Sequence, residues 1–323
     1  MTKSLLFAVT LLATGLPTVA AVPDVQPGLE ALRSGRFEDA RVLFDRIAAQ
    51  EAAAPEGPFF QAFDLWWRLL DEPADADALR RRMEDFLEEA TRRADRMRSA
   101  RDEATRERGL VFSGVSMLLS AQSLAGRGRH FRAGTMARRG HRRLVRALKI
   151  RPGSPDAFFA LGAYDYYADK LPAIVKGLRF LLMIPGGDDK RGISRLETAA
   201  EKSRLFGTES LMLLSHIYAS KFEKNYRRAL AYSRRALERH PSSPLIGLAH
   251  ASLLFKVGRF RSAAETARAA LEVISRSSGY SGEMARYAQF RLAACALQTG
   301  DPLAAMDRIE STLQASIPTA PSE

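Results

Sequence analysis

Cysteine is nearly absent: the 323-residue chain holds one, Cys295. A lone cysteine excludes an internal disulfide framework. Its neighbours, RLAACALQTG, are apolar at helical spacing, which reads as a buried structural thiol. Histidine is scarce as well. The five, His130, His141, His216, His240 and His250, form no HExxH pair and no Cys/His set with the spacing of a zinc site. No G-x-S-x-G nucleophile elbow is present. IPGGDDKRG (Ile184–Gly192) has the glycines of a phosphate loop but lacks its Lys-Ser or Lys-Thr ending, and two adjacent aspartates are too few for a calcium loop. It reads as a turn, with Asp188 or Asp189 capping a following helix. Carboxylates elsewhere interleave with arginines at helical spacing, the pattern of a salt-bridged surface. No catalytic or cofactor set can be named. Acidic residues are missing altogether from Gly109 to Pro155.

Long apolar runs are few. Leu5–Leu16 follows Lys3 and precedes Pro17 and the small residues TVAA, the layout of a secretory leader cut after Ala20 or Ala21. The run is short for a bilayer span, although an uncleaved anchor is the alternative. No cysteine lies near the cut, which excludes lipid attachment there. Leu171–Pro185 is too short to span and carries Lys176 and Arg179, so it reads as a buried or amphipathic helix. No segment after residue 21 is expected to cross a membrane. The expected location is therefore the periplasm or cell envelope. Net charge is +12, mostly from arginine, and near +11 without residues 1–21.

Ala, Leu, Arg and Glu dominate, and apolar residues recur at three and four positions, so the chain is mainly helical. The helices repeat. HPSSPLIGLAHASLLFKVGRFRSAAETARAALEV, from His240, gives one helix, a GRF turn (Gly258, Arg259, Phe260) and a second helix with Ala263, Ala267 and Ala270. SGRFEDARVLFDRIA repeats the turn and second helix with Gly35, Phe37, Ala40 and Phe44. NYRRALAYSRRALERHP does so with Tyr226, Ala229, Ala236 and Pro241, and TGDPLAAMDRIE with Gly300 and Ala305, where Pro302 replaces the aromatic. Phe158, Leu161 and Gly162 stand where a first helix carries a large, an apolar and a small residue, after Ala147 and Pro152 end the previous pair.

These units resemble the tetratricopeptide repeat, an antiparallel helix pair of about 34 residues. The likeness covers residues 28–50 and 140–315. It implies an all-α solenoid of αα-hairpins, whose stacked pairs bury a continuous core and leave a concave surface for proteins or peptides. The YDYYADKLP…GGDDKRG insertion lies outside the plain repeat and is similar to a variant branch of that family. Residues 57–125 depart from the pattern and read as longer, irregular helices, with Asp75 or Asp77 as a cap. The expected layout is a leader (1–21), an N-terminal helical region with one repeat-like pair (22–125), a repeat region (126–315) and a disordered tail (316–323).

Two stretches carry candidate binding residues. PGSPDAFFALGAYDYYADKLP places Phe158, Phe159, Tyr164, Tyr166 and Tyr167 within ten residues, around Asp165. Helical spacing sends these rings to different sides, so some form inter-repeat wall. Tyr164 or Tyr167 then faces a ligand, since tyrosine suits an apolar surface with a polar handle. Asp165 bonds a tyrosine hydroxyl or pairs with an arginine, because its charge is costly in an apolar setting. The second stretch is basic. Ala137, Gly140, Leu144, Ala147 and Leu148 make an apolar stripe, and Arg138, Arg139, Arg142, Arg146 and Lys149 lie away from it. That face is either plainly solvated or an electropositive patch. The resulting expectation is a non-catalytic scaffold for a protein or peptide, bound through Tyr164, Asp165, Tyr167, Arg138, Arg139, Arg142 and Arg146, without cofactor or metal. The alternatives are a basic module on anionic lipid or an envelope polyanion, and an enzyme with a dispersed site around Asp165 and Asp188. Export, and the lack of a recognition module, argue against nucleic acid.

Overall fold

The computed structural model describes residues 22–71, 75–170, 185–277, 279–280 and 282–314, and every regular element among them is an α-helix. In order these are α1 (Gln26–Arg33), α2 (Phe37–Gln50), α3 (Glu56–Leu69), α4 (Ala76–Met97), α5 (Glu103–Gly126), α6 (His130–Ile150) and α7 (Pro155–Asp169). There follow α8 (Asp189–Lys202), α9 (Gly207–Ala219), α10 (Tyr226–Arg239), α11 (Pro244–Lys256), α12 (Phe260–Ser275), α13 (Gly282–Gln298) and α14 (Pro302–Gln314). The expected leader, tail and most of the Leu171–Pro185 helix lie outside the described residues.

Consecutive helices pack as hairpins, α1 with α2 through to α13 with α14. Four hairpins turn on a glycine in the left-handed region, Gly35, Gly128, Gly258 and Gly300, with φ of 78°, 72°, 78° and 82°. The residue after the glycine donates its N–H back to the first helix, as Arg36 does to Ala31 O (2.9 Å) and Arg259 to Leu254 O (2.9 Å). A side chain at that φ meets its own backbone, so glycine is favoured. The α9–α10 turn uses Lys224 instead, at φ 48°. The small positions of the repeat are buried: Ala40, Ala229, Ala236 and Ala263 are inaccessible, as are Phe44 and Leu161. The stretch 57–125, read from the sequence as longer, irregular helices, holds α3, α4 and α5 among its described residues, and α3 and α4 stack as a pair between α2 and α5. Asp75 occupies the cap position of α4 but makes no side-chain capping bond.

The second helix of one pair packs on the first helix of the next, and first helices also touch one another (α3 on α5, α5 on α7, α7 on α9), which sets them on the inner side. Around α3, α5 and α7 that inner side is packed with aromatics. Phe59 meets Phe60 (5.1 Å), Phe112 (5.2 Å) and Phe206 (5.9 Å), and Phe206 stacks on Phe159 (4.9 Å). The coil also returns onto its own start. Arg33 of α1 grips Glu209 of α9 through both carboxylate oxygens (3.0 and 2.8 Å) and donates to Leu205 O (2.7 Å). Both side chains are buried. His240 Nδ1 lies 3.5 Å from Glu30 Oε2 of α1, and Tyr280 packs edge-on to Phe37 at 5.2 Å. Large aromatics on the inner helices gain roughly 1.5–3 kcal/mol each by burial, which favours closing the coil over leaving a groove.

Helix α5 is, among the described residues, long and apolar enough by length and composition to cross a membrane. It spends this apolar surface on α4 and α6, and 56% of its most apolar window is buried.

Candidate functional site: the α6–α8 face

Helix α6 starts after the Gly128 turn and lies close against α5. A Cβ on Gly140 would sit 2.8 Å from Gly114 O, so the helices meet almost backbone to backbone. Gly140, Leu144 and Ala147 are buried there, and Ala137 and Leu148 are half-buried. This orientation fixes the opposite face outward. Arg139, Arg142, Arg146 and Lys149 are exposed along it, and none of the four forms an ion pair among the described residues. Arg138 is half-buried on the same side. Arg143, on the flank, turns inward to Asp95 (3.0 Å) and Ser113.

At 100° per residue Phe131 falls on the same outer face as Arg138, Arg142 and Lys149. It is 64% exposed, flanked by Arg129 and Arg132. Sequence reasoning passed over this ring, although its helical phase with the arginines was readable.

Helix α7 distributes its five rings. Tyr166 is buried and donates to Glu223 (3.2 Å), Phe159 joins the inner core, and Phe158 and Tyr164 are half-buried. Tyr167 is 43% exposed, edge-on to Tyr166. The Tyr164 hydroxyl donates to Pro185 O (2.8 Å), and its ring lies 4.5 Å from that of His141. The aromatic stretch and the basic helix, separate in sequence, thus adjoin. Burial holds the His141 imidazole below its ordinary pKa. Arg195 and Arg191 push the same way, and Asp165 opposes them.

Asp165 is corrected as a partner-contacting residue. It is fully buried and accepts from Arg191 at both oxygens (3.0 Å each) and from Arg195. A charge removed from water requires such pairing, and two guanidiniums supply it. Asp188 accepts the Arg191 N–H (2.9 Å) and caps α8, as expected from the sequence. Lys170 pairs with Asp189 (2.7 Å), tying the end of α7 to the start of α8 on either side of residues 171–184. Gly162 and Gly192 let α7 and α8 cross closely: a Cβ on Gly192 would lie 2.7 Å from Tyr166 N and 2.8 Å from Gly162 O.

No group of three or more metal-ligating side chains occurs among the described residues. The Cys295 thiol is buried, and burial pushes its pKa up. One shallow cleft lies at the Gly128–Arg132 turn and another at the seam where Arg33 and Gln26 meet Thr208 and His240. The α6 surface is suited to attracting and orienting anions.

No protein-family model matches the sequence. No curated protein matches it either. Solved structures similar to the chain include the C-terminal part of a TPR repeat-containing protein from Cytophaga hutchinsonii, 13% identical, with a TM-score of 0.43 over 92% of this chain and 97% of that one. A signal-transduction ATPase with a tetratricopeptide repeat sensor, from Pyrococcus horikoshii, is 13% identical at a TM-score of 0.42. The match covers 90% of this chain and 46% of that one. Yeast Tom70 is 10% identical at a TM-score of 0.34, over 89% of this chain and 83% of that one.

Proposed function

We propose that the chain is a non-catalytic scaffold of the cell envelope that docks an acidic protein or peptide on the outer face of α6, with Tyr164 and Tyr167 at its rim. One observation carries the reading: Arg139, Arg142, Arg146 and Lys149 line up over about 15 Å with no carboxylate partner. Several other exposed arginines are neutralised locally, as in Arg36–Asp39, Arg41–Asp45 and Arg228–Glu197. An unneutralised row steers an oppositely charged partner and sets its orientation. The aromatics packed between α3, α5 and α7 support the outside of the coil over its concave side as the binding surface. The leader-like residues 1–21 support the envelope location.

A second reading, docking on anionic lipid or an envelope polyanion, is favoured by Phe131. An exposed ring on the arginine face is what an interfacial helix uses to enter a headgroup layer. Capture from an envelope extract on the immobilised chain, at low and then high salt, separates the two. A discrete acidic protein held by the wild type and lost by R139Q/R142Q/R146Q supports the first reading. Recovery of lipid or polyanion alone, released by salt and by Phe131→Ser, supports the second. Equal capture by wild type and triple variant contradicts both.

A further inference from the structure

The last helical pair, α13 with α14, presents a broad apolar face. Phe290 is 61% exposed, Leu297 54%, Leu303 73%, Met306 55% and Ile309 43%. The repeat itself shows what this face is shaped for. Aligning the last two pairs on their turn glycines, Gly258 and Gly300, sets Phe290 opposite Leu248 and Ile309 opposite Ala267. Leu248 and Ala267 are buried in a cluster with Met284, Ala288 and Leu292 of α13. At these two positions the side chains that the sixth pair buries under the next first helix are replaced in the seventh by larger, exposed ones, and Met306 extends the face opposite the half-buried Ala264. A solenoid face left without a following pair is normally polar, and the face of α13 and α14, the last described helices, is apolar.

We propose that this face is a self-association surface, which meets the same face of a second copy about a two-fold axis. The area is sufficient for a second copy. A standard interface takes about 800 Å² from each partner, about two-thirds of it apolar in homodimers. The five side chains supply on the order of 500 Å² of apolar surface. One face is therefore sufficient for an isologous contact, in which each copy contributes the same ridge (Leu303, Met306, Ile309) and the same flanking stripe (Phe290, Leu297). The contact lies on α13 and α14 and involves none of the α6 arginines.

The test is sedimentation equilibrium of the full chain at micromolar concentration. The wild type is expected at twice the chain mass. Met306→Glu and Phe290→Glu are expected to weaken the dimer at least tenfold while the helical signal and melting curve persist. Leu303→Glu, at the most exposed of the five positions, replaces either variant if it misfolds. R142E/R146E is expected to stay dimeric. A monomeric wild type overturns the proposal, whether or not the face then takes up a helix from another protein. So does a dimer indifferent to the glutamates, or one dispersed by the α6 variant.

Discussion

Closure of the coil rests on an ion pair that joins its first helix to its ninth, and the pair can be measured. Arg33 and Glu209 are both buried, with two bonds between them and a third from Arg33 to Leu205 O. Arg33→Met strands the Glu209 carboxylate in the seam, and Glu209→Met strands the guanidinium. Breaking one side of a buried pair costs about 3–5 kcal/mol, whereas replacing both sides by apolar groups of similar volume is near neutral. In urea denaturation each single variant should lose about 3–5 kcal/mol, and the double variant should lose less than their sum by on the order of 2 kcal/mol or more. Singles that lose less than about 1 kcal/mol, as exposed pairs do, or losses that simply add, would show that α1 does not dock on α9 in solution. The interior would then be open.

Burial, then the Arg33 and Arg239 charges, hold His240 down at about 4, against 6.5 for a free histidine. The unfolded chain binds that proton first, so the His240 contribution to stability is complete above pH 6.5 and lost as pH falls towards 4. Asp64 works in the opposite sense, since burial raises its carboxyl to about 6 and the folded state gains as it protonates. The stability difference between wild type and His240→Gln isolates the histidine and should shrink by about 2–3 kcal/mol from pH 7 to pH 4; a constant difference removes His240 from the seam. Lys224→Gly should relieve a left-handed residue and stabilise by about 0.5–1 kcal/mol, read as a rise in melting temperature. Gly192→Ala should cost about 2–3 kcal/mol because backbone lies on two sides, whereas Gly153→Ala, with open space, should stay within about 0.5 kcal/mol.

The local grammar of the hairpins was legible. Gly35, Gly258 and Gly300 occur in turn context with an alanine or aromatic at the right offset, and each adopts the left-handed backbone that the reading requires. Gly128 performs the same role, but its hairpin joins a long apolar helix to an arginine-rich one, which masked the repeat. Lys224 was invisible because the position normally asks for glycine. Pairing of Asp165 with an arginine was foreseeable from the cost of its charge. Its exclusion from the surface was not, because that depends on how closely Gly162 and Gly192 draw α7 and α8 together. Closure was beyond reach: Arg33 and Glu209 lie far apart in the chain, and no periodicity announces that the coil meets itself. The arginine face of α6 was readable from helical phase. That Arg139, Arg142, Arg146 and Lys149 form no ion pair among the described residues follows only from the positions of the neighbouring helices.

Site-specific photocrosslinking in the envelope addresses most directly which side of the coil meets a partner. A photoreactive residue at Arg142, on the outer face of α6, is compared with one at His216, the exposed position on the first helix α9. Adducts from position 142 and none from 216 are expected, and they should disappear when Arg139 and Arg146 are neutralised. Adducts from 216 with none from 142 would contradict the assignment of the outer α6 face and return binding to the first helices.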